Sequence, residues 1–237
     1  MSALRKRAHP VENRLLGALS PQEQAHLLPL MHIVSLKRKQ TIYLSGESMG
    51  SVYFPISTVL SLVSVMADGT NIEVGMVGSE GMAGLPEFLG ARSEPFEMVV
   101  HVAGTAQCMS ATCLSNEAHH SAPLRDLVLR YAQAFTAQVA QGTACLGHHS
   151  LRQRMAKCLL MIRDGIEADQ FRMTHELLGQ MLAVGRPRAS LTAKSLRDDG
   201  LIGYRREIVT ITDGQGLEAT ACECYRIVKD EHDRLLA

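Results

Sequence analysis

The sequence predicts an α+β chain with a β-rich N-terminal domain, a long helix and a C-terminal winged helix-turn-helix. Three observations lead to this prediction. At least seven short β-branched and apolar runs fall between residues 32 and 110. One apolar pattern of helical period follows from residue 123, and two short helical segments, the second of them basic, follow residue 174. Changes of hydrophobic period of this kind mark changes of architecture along a chain.

Composition supports two domains with different tasks. The 237 residues are 46% hydrophobic with a mean hydropathy of +0.02, which suffices for two cores. The formal net charge is zero, but residues 41–123 carry eight acidic side chains against Arg92 alone, a net of −7. Residues 174–206 carry six basic side chains against three acidic ones, a net of +3. The asymmetry indicates that the C-terminal part faces a polyanion.

Neither a signal peptide nor a membrane span is expected from the sequence. Residues 1–10 contain Arg5, Lys6 and Arg7 but no following apolar stretch, so we expect a disordered arm and not a signal peptide. No run of about 18 uncharged apolar residues occurs. We therefore expect a cytoplasmic protein without membrane contact. Residues 11–31 have helical spacing, and Ser20 followed by Pro21 predicts the start of the second of two short helices.

The next segment predicts an all-β domain. Asp68 and Gly69 join two alternating runs and predict a hairpin. A Gly-rich loop over 75–90 separates the first five strands from the last two. The strands are expected at 32–36, 41–44, 51–55, 59–66, 71–77, 98–103 and 105–110. Strands this short and this close are typical of a sandwich or barrel, with a jelly roll among the candidates.

A long helix follows from Pro123. Apolar residues recur at steps of three and four with almost no helix breaker before Gly142, which predicts a helix of about 20 to 25 residues. A helix of this length cannot be covered by a small sandwich, so we expect a second copy of the chain to cover it. The predicted dimerisation residues are Leu124, Leu127, Val128, Tyr131, Phe135 and Val139.

The C-terminal segment predicts a helix-turn-helix with a wing. After a helix over 151–162, Thr174 caps a helix over 175–182, and a turn at 183–185 leads to a second helix that begins at Arg186 and ends near 198. A two-stranded wing is expected over 201–212 and a last helix over 213–236. From spacing and charge alone, an ordinary helical hairpin with a solvated basic side remains an alternative. In a helix-turn-helix, the second helix would lie in the DNA major groove.

These residues resemble the signature of the Crp/Fnr superfamily of bacterial transcription regulators. The resemblance rests on Thr174-His-Glu-Leu-Leu-Gly-Gln and on Leu201-Ile202 after the second helix, and it extends to the order of the elements. It implies a cyclic-nucleotide-binding-like jelly roll over 1–122, a dimerisation helix over 123–147 and a winged helix-turn-helix domain over 148–237. It also implies a homodimer that binds double-stranded promoter DNA, with RNA polymerase as a further partner.

The resemblance assigns DNA contacts residue by residue. Arg186 falls where family members place a base-reading arginine, and Thr174, His175 and Gln180 fall where the first helix touches phosphate. Two positions depart from the family pattern, because Pro187 replaces a common glutamate and Leu191 a common second arginine. The half-site that is read should therefore differ from the best-known one. The predicted DNA-binding residues are Thr174, His175, Gln180, Arg186, Pro187, Arg188, Ser190, Leu191 and Lys194.

The sensor domain resembles a cyclic-nucleotide site only in part. The turn from Gly78 to Gly84 is similar to the family's ribose-binding turn, with shifted spacing. The phosphate-binding arginine of the family is replaced here by a glutamate, which would repel a phosphate. We therefore expect no response to a cyclic nucleotide, and the effector is left unidentified. The candidate effector-pocket residues are Gly78, Glu80, Gly81, Met82, Glu97 and Met98.

No cofactor or metal site is predicted. No cysteine precedes Cys108, which argues against the N-terminal iron–sulfur cluster of the oxygen-sensing branch. Cys222 and Cys224 are expected on the last helix, where residues two apart point to different sides. The histidine doublets at 119–120 and 148–149 lack metal-ligand spacing and are expected to be solvated helix ends.

Two further classes of protein compete with a DNA-binding regulator. A cupin-like metal-dependent enzyme would need an H-x-H pair with further ligands, but the β-region offers only the isolated His32 and His101. No common hydrolase, metalloprotease or P-loop motif occurs, so no catalytic residue is predicted and the chain is not expected to be an enzyme. A cyclic-nucleotide-sensing signalling subunit would not need a basic second helix.

Overall fold

The computed structural model describes residues 12–236; the predicted N-terminal arm lies outside them. The described chain begins with two short helices, α1 (Arg14–Gly17) and α2 (Pro21–Leu27), and a 3-10 turn (Leu28–Leu30). The buried Asn13 side chain caps α1 and donates to the carbonyl oxygens of Pro55 and Gly81. This contact fixes the first helices to the β-domain that follows.

The β-domain is a sandwich of two antiparallel sheets, which confirms the predicted class. One sheet has the order β1-β7-β3 and the other β2-β6-β4-β5. Apolar side chains from both sheets fill the space between them, among them Leu36, Leu60 and Val100. The strands are β1 (His32–Leu36), β2 (Thr41–Tyr43), β3 (Ser51–Pro55), β4 (Val59–Val65), β5 (Asn71–Val77), β6 (Glu97–Val102) and β7 (Gly104–Ser110).

One short helix lies between β5 and β6, and three more link the sandwich to the C-terminal domain. They are α3 (Leu85–Phe88), α4 (Ala111–His120), α5 (Ala122–His148) and α6 (Leu151–Ile166). The long helix α5 has 27 residues and begins at Ser121, whose hydroxyl accepts from the amide of Leu124. Helix α4 was not predicted. Ser110 caps it, and its apolar face packs beside the first half of α5.

The C-terminal domain combines a helix pair with a small sheet. Its elements are β8 (Gln170–Arg172), α7 (His175–Met181), α8 (Arg186–Asp198), β9 (Ile202–Arg205), β10 (Ile208–Ile211), α9 (Gly214–Thr220) and α10 (Cys224–Leu236). The predicted two-stranded wing gains β8, which pairs with β10. The single last helix predicted over 213–236 is wrong, because the backbone is extended at Ala221 and divides it into α9 and α10.

The two domains share apolar contacts. Val59, Met76 and Val102 of the sandwich belong to the same buried cluster as α6 and the helix pair. Helix α10 packs along α5, and α7 packs beside β5. Across residues 12–236, no helix combines the length and apolar character that are needed to cross a bilayer.

Candidate nucleic-acid interface

The helix pair α7–α8 has a tightly packed turn. The Thr174 hydroxyl caps α7 by accepting from the amide of Leu177 at 3.1 Å. Gly179 lies against the turn, where an added Cβ atom would stand 2.7 Å from the carbonyl oxygen of Val184. Any larger residue at 179 would therefore push the two helices apart. Ala189, Ala193 and Leu196 are buried on the inner side of α8.

The outward side of α8 is basic and unpaired. We call Arg186, Arg188, Leu191 and Lys194 the α8 outer face; all four are exposed, Leu191 to 69%. Asp198 and Asp199 near the end of the helix are held by Arg197 and Arg152. Among residues 12–236, no carboxylate lies within 4.0 Å of the three basic groups of this face.

The start of α8 adds to this positive surface. Its first turn contains no acidic residue and no side chain caps it, while Pro187 fits the first turn because it needs no amide partner there. The first turn of a helix presents free amide groups and the positive end of the helix dipole. The α8 outer face can therefore hold phosphate groups or the acceptor edges of bases.

His175 and Ser190 contact each other and are not both free for a ligand. Ser190 Oγ lies 2.9 Å from His175 Nδ1, and the imidazole stacks on Tyr204 at 4.3 Å between ring centres. Burial, with a smaller contribution from Arg186, lowers the pKa of His175 below its usual value. A neutral imidazole here joins α7, α8 and the wing strand β9.

Thr174 and Gln180 face the β-domain. They line a cavity of about 230 Å³ together with Lys39, Glu97 and His101 of the sandwich. The wing tip lies on the same side, since Arg38 Nη2 is 3.5 Å from Glu207 Oε2. In this arrangement the start of α7 is turned toward protein, unlike the α8 outer face.

Three amides of the candidate effector turn donate to acceptors within the protein. The amide of Gly78 donates to Glu80 Oε1, that of Ser79 to the carbonyl of Gly165, and that of Gly81 to the carbonyl of Gly78. An added Cβ at Gly78 would stand 2.4 Å from Gly165 Cα. The turn is thus packed against α6, and these three donors are used within the protein.

The six candidate pocket residues also do not converge. Met82 and Met98 are buried in two different clusters. Glu97 lines the 230 Å³ cavity beside α7, whereas Glu80 lines a small cavity beside α10. A larger cavity of about 600 Å³ lies elsewhere, between β5, α5 and α6, with Phe135, Val139 and Met161 in its mostly apolar wall. Sequence reasoning missed it because its wall comes from distant segments.

Four of the six predicted dimerisation residues are buried within the chain, and this corrects the assignment for those four. Leu124, Leu127, Val128 and Tyr131 are at most 2% exposed and pack against the chain's own helices and sheet. Phe135 lies against Gly75, and Val139 lies beside it. The first four cannot contact a partner, because α4 and the β-domain cover this side of α5. Phe135 and Val139 are half-buried and line the 600 Å³ cavity.

The opposite side of α5 is exposed and uncharged. Residues 131–147 contain no Asp, Glu, Lys, Arg or His. Exposed residues on this side recur at alternating steps of four and three, the spacing of a helix–helix seam. We call them the α5 seam: Leu129, Gln133, Thr136, Ala140, Thr143 and Gly147.

The β-region does not assemble a cupin-like metal site. His32 is exposed on β1, whereas His101 is buried on β6 in the other sheet. His101 Nδ1 lies 2.6 Å from Ser61 Oγ and 3.2 Å from Glu73 Oε2, so its partners are already within the sandwich. The two histidines cannot bind one ion together.

Known proteins with similar sequences and structures are transcription regulators. Residues 153–220 match the family model of the Crp-like helix-turn-helix domain. The transcriptional regulator LdrP of Thermus thermophilus is 27% identical over 192 residues, which are 78% of this chain and 94% of that regulator.

Two solved structures extend the likeness to 79–81% of the chain. TTHB099, a transcriptional regulator of the CRP family from Thermus thermophilus, has a TM-score of 0.65 at 25% identity, covering 79% of this chain and 96% of that one. FixK2 from Bradyrhizobium japonicum has a TM-score of 0.69 at 14% identity, covering 81% and 98%. The second likeness is one of fold alone.

Proposed function

We propose that this chain, a Crp-like transcriptional regulator, binds promoter DNA as a dimer through its helix-turn-helix domain. Two copies pair along α5 and place their α8 helices in successive major grooves of a promoter, about 34 Å apart. The observation that carries this proposal is the α8 outer face, whose basic groups are exposed and unpaired. Its place of action is then the cytoplasm, with RNA polymerase as a further partner.

Some residues of the α8 outer face contact bases and the others contact phosphates. Arg186 is at the start of the helix, which points toward base edges in this class of domain, and an arginine can donate two hydrogen bonds to a guanine. Leu191 is exposed and apolar, and such a side chain suits a thymine methyl group. Arg188 and Lys194 flank these two and suit the backbone phosphates on either side.

The remaining predicted DNA contacts divide into two groups. His175 and Ser190 position α8 through their mutual hydrogen bond, and Pro187 fixes the first turn. Thr174 and Gln180 suit phosphate contact only after the C-terminal domain moves away from the β-domain, which they face here. We therefore propose that the described conformation is the weakly binding one.

Dimerisation uses the α5 seam. Its residues are small or uncharged, as expected for the centre of an interface, where charged residues are depleted. The hydroxyls of Thr136 and Thr143 already bond to carbonyl oxygens of their own helix, so burying them leaves no hydroxyl without a partner. The seam runs for 19 residues, from 129 to 147.

The sensor domain regulates without a cyclic nucleotide. This proposal is supported by the amides of Gly78, Ser79 and Gly81, which donate to acceptors within the protein, and by Glu97 in place of an arginine. Cyclic AMP and cyclic GMP should then leave the thermal unfolding midpoint and the DNA affinity unchanged.

The function is tested by fluorescence anisotropy on promoter fragments over a salt series. Wild type should bind selectively, with an affinity that falls steeply as salt rises, because phosphate contacts release counterions. Arg186→Ala should lose about 1–3 kcal/mol for its preferred site, roughly 5- to 150-fold in Kd, while remaining a dimer. Arg92→Ala removes an exposed arginine of the β-domain and serves as the matched control. Equal affinities of both variants would contradict the assigned readout.

A further inference from the structure

Four sulfur and nitrogen ligand groups meet where α5 ends and α10 begins. Cys145 and His149 are one helical turn apart at the end of α5, and Cys222 and Cys224 come from the segment that starts α10. The four ligand atoms all lie within 4.8 Å of one another. Cys145 Sγ is 3.5 Å from Cys222 Sγ, and His149 Nδ1 is 3.5 Å from Cys224 Sγ.

The sequence did not reveal this cluster, and the structure shows why. Cys222 and Cys224 were expected on one helix with side chains that diverge. The helix instead begins at Cys224, so Cys222 precedes it and both thiols reach the same cluster. The other two groups are more than seventy residues earlier.

The geometry matches a tetrahedral metal site. In a zinc site with Zn–S bonds of about 2.3 Å, neighbouring ligand atoms stand about 3.8 Å apart. The two measured pairs are close to this value, and none of the six separations exceeds 4.8 Å. Three cysteines and one histidine form one of the standard ligand sets of structural zinc.

Burial supports the same interpretation. Cys145, Cys222 and Cys224 are at most 3% exposed, and they form a buried cluster of their own, apart from the three apolar clusters. All three are free thiols. Cys158, by contrast, is buried within an apolar cluster.

Neighbouring side chains hold the cluster as second-layer groups of metal sites do. Glu223 Oε2 lies 3.1 Å from His149 Nε2, which leaves Nδ1 directed at the thiols. A carboxylate on the far nitrogen commonly orients a metal-bound histidine. Gln141 Nε2 donates to Cys224 Sγ at 3.0 Å, which suits a thiolate.

We propose that Cys145, His149, Cys222 and Cys224 bind one Zn²⁺ ion per chain. The ion would fasten the start of α10 to the end of α5. Its regulatory consequence rests on the proposed function: because α5 carries the dimer seam and α10 ends the DNA-binding domain, zinc would fix the position of α8 relative to the partner chain.

The test is metal uptake by the full chain, prepared metal-free with a chelator under reducing conditions. Co²⁺ added to wild type should produce thiolate-to-cobalt charge-transfer and tetrahedral d–d bands that saturate at one ion per chain and vanish when Zn²⁺ displaces it. Cys224→Ser should weaken these bands strongly. Cys113→Ser, which changes a cysteine outside the cluster, should match wild type.

A second pair of variants guards against loss of folding. Glu223→Gln keeps all four ligands and should weaken zinc binding 10- to 100-fold, whereas Glu231→Gln, farther along on α10, should not change it. Absence of the cobalt bands, equal losses in Cys113→Ser and Cys224→Ser, or iron and sulfide in place of zinc would overturn the proposal.

Metal uptake and DNA binding are measured separately, so each can fail alone. Uptake needs no DNA, and the Arg186→Ala result needs no metal. If zinc positions α8, zinc-loaded and metal-free wild type should differ in Kd for the promoter by at least about 5-fold. Equal affinities would overturn the positioning role.

Discussion

At the scale of single residues, the polar groups of the interior differ in how they are paired. His101 is buried with Ser61 and Glu73 as partners. His232 on α10 is only 4% exposed, packs edge-on against Tyr131, and neither ring nitrogen has a hydrogen-bond partner among residues 12–236. Burial therefore lowers the pKa of His232, although the nearby Glu80 carboxylate acts in the opposite direction.

The lowered pKa of His232 predicts loss of stability in mild acid. The unfolded chain protonates His232 near pH 6.5, whereas the folded chain does so only at lower pH. The free energy of unfolding should have its full value above pH 6.5. Below pH 6.5 it should fall, by at most about 1.4 kcal/mol per pH unit for this group. Urea unfolding at about pH 7.5 and about pH 5.5 measures the loss.

The variant His232→Leu identifies the group responsible. It should reduce the difference between the two pH values without removing it, because His175 also has a lowered pKa. A pH dependence as steep as that of wild type would exclude His232 as a source.

At the scale of the elements, α5 has two faces with different tasks. One face completes the core of its own domain, and the α5 seam is left exposed.

Ala140→Glu should turn the dimer into a monomer, because it buries one unpaired carboxylate from each chain next to its counterpart. Sedimentation velocity measures the outcome, with Ala122→Glu, on the first turn of the same helix, as the matched control. A dimer unaffected by Ala140→Glu would place the interface elsewhere.

Elements with a strong local pattern could be predicted from the sequence. The strands, α5 and the helix pair each contain a clear hydrophobic period or cap, such as Thr174 before α7. Which face of α5 stays exposed could not be predicted, since it depends on how α4, α10 and the β-domain pack against that helix. The break at Ala221 has no local signal, and with it the meeting of Cys222 with Cys145 was missed.

The candidate site shows the same division. The α8 outer face follows from spacing and charge, because exposed residues need no information about distant segments. The contact of His175 with Ser190 and Tyr204 depends on tertiary packing, as does the closing of the 78–84 turn by Gly165. Residues whose surroundings are formed by other elements could not be assigned from the sequence.

At the scale of the whole molecule, the two domains are held together on the side where DNA phosphates would meet α7. Thr174 and Gln180 face the sandwich across the 230 Å³ cavity. The wing tip at Glu207 reaches Arg38 in the turn between β1 and β2. If the described conformation binds DNA weakly, contacts that hold the domains together oppose DNA binding, in proportion to their strength.

Removing Arg38 tests this coupling through the sign of its effect. Surface ion pairs contribute about 0–1 kcal/mol, so Arg38→Ala should raise promoter affinity by at most about 5-fold. If Arg38 acted only by attracting DNA, its removal would lower promoter affinity instead, as expected for Arg186→Ala. Anisotropy at fixed salt, with Arg92→Ala as the control for net charge, separates the two. Arg92→Ala removes the same charge without touching the contact between the domains, so it measures the effect of net charge alone. Weaker binding by Arg38→Ala than by Arg92→Ala would show that this contact does not restrain the helix-turn-helix.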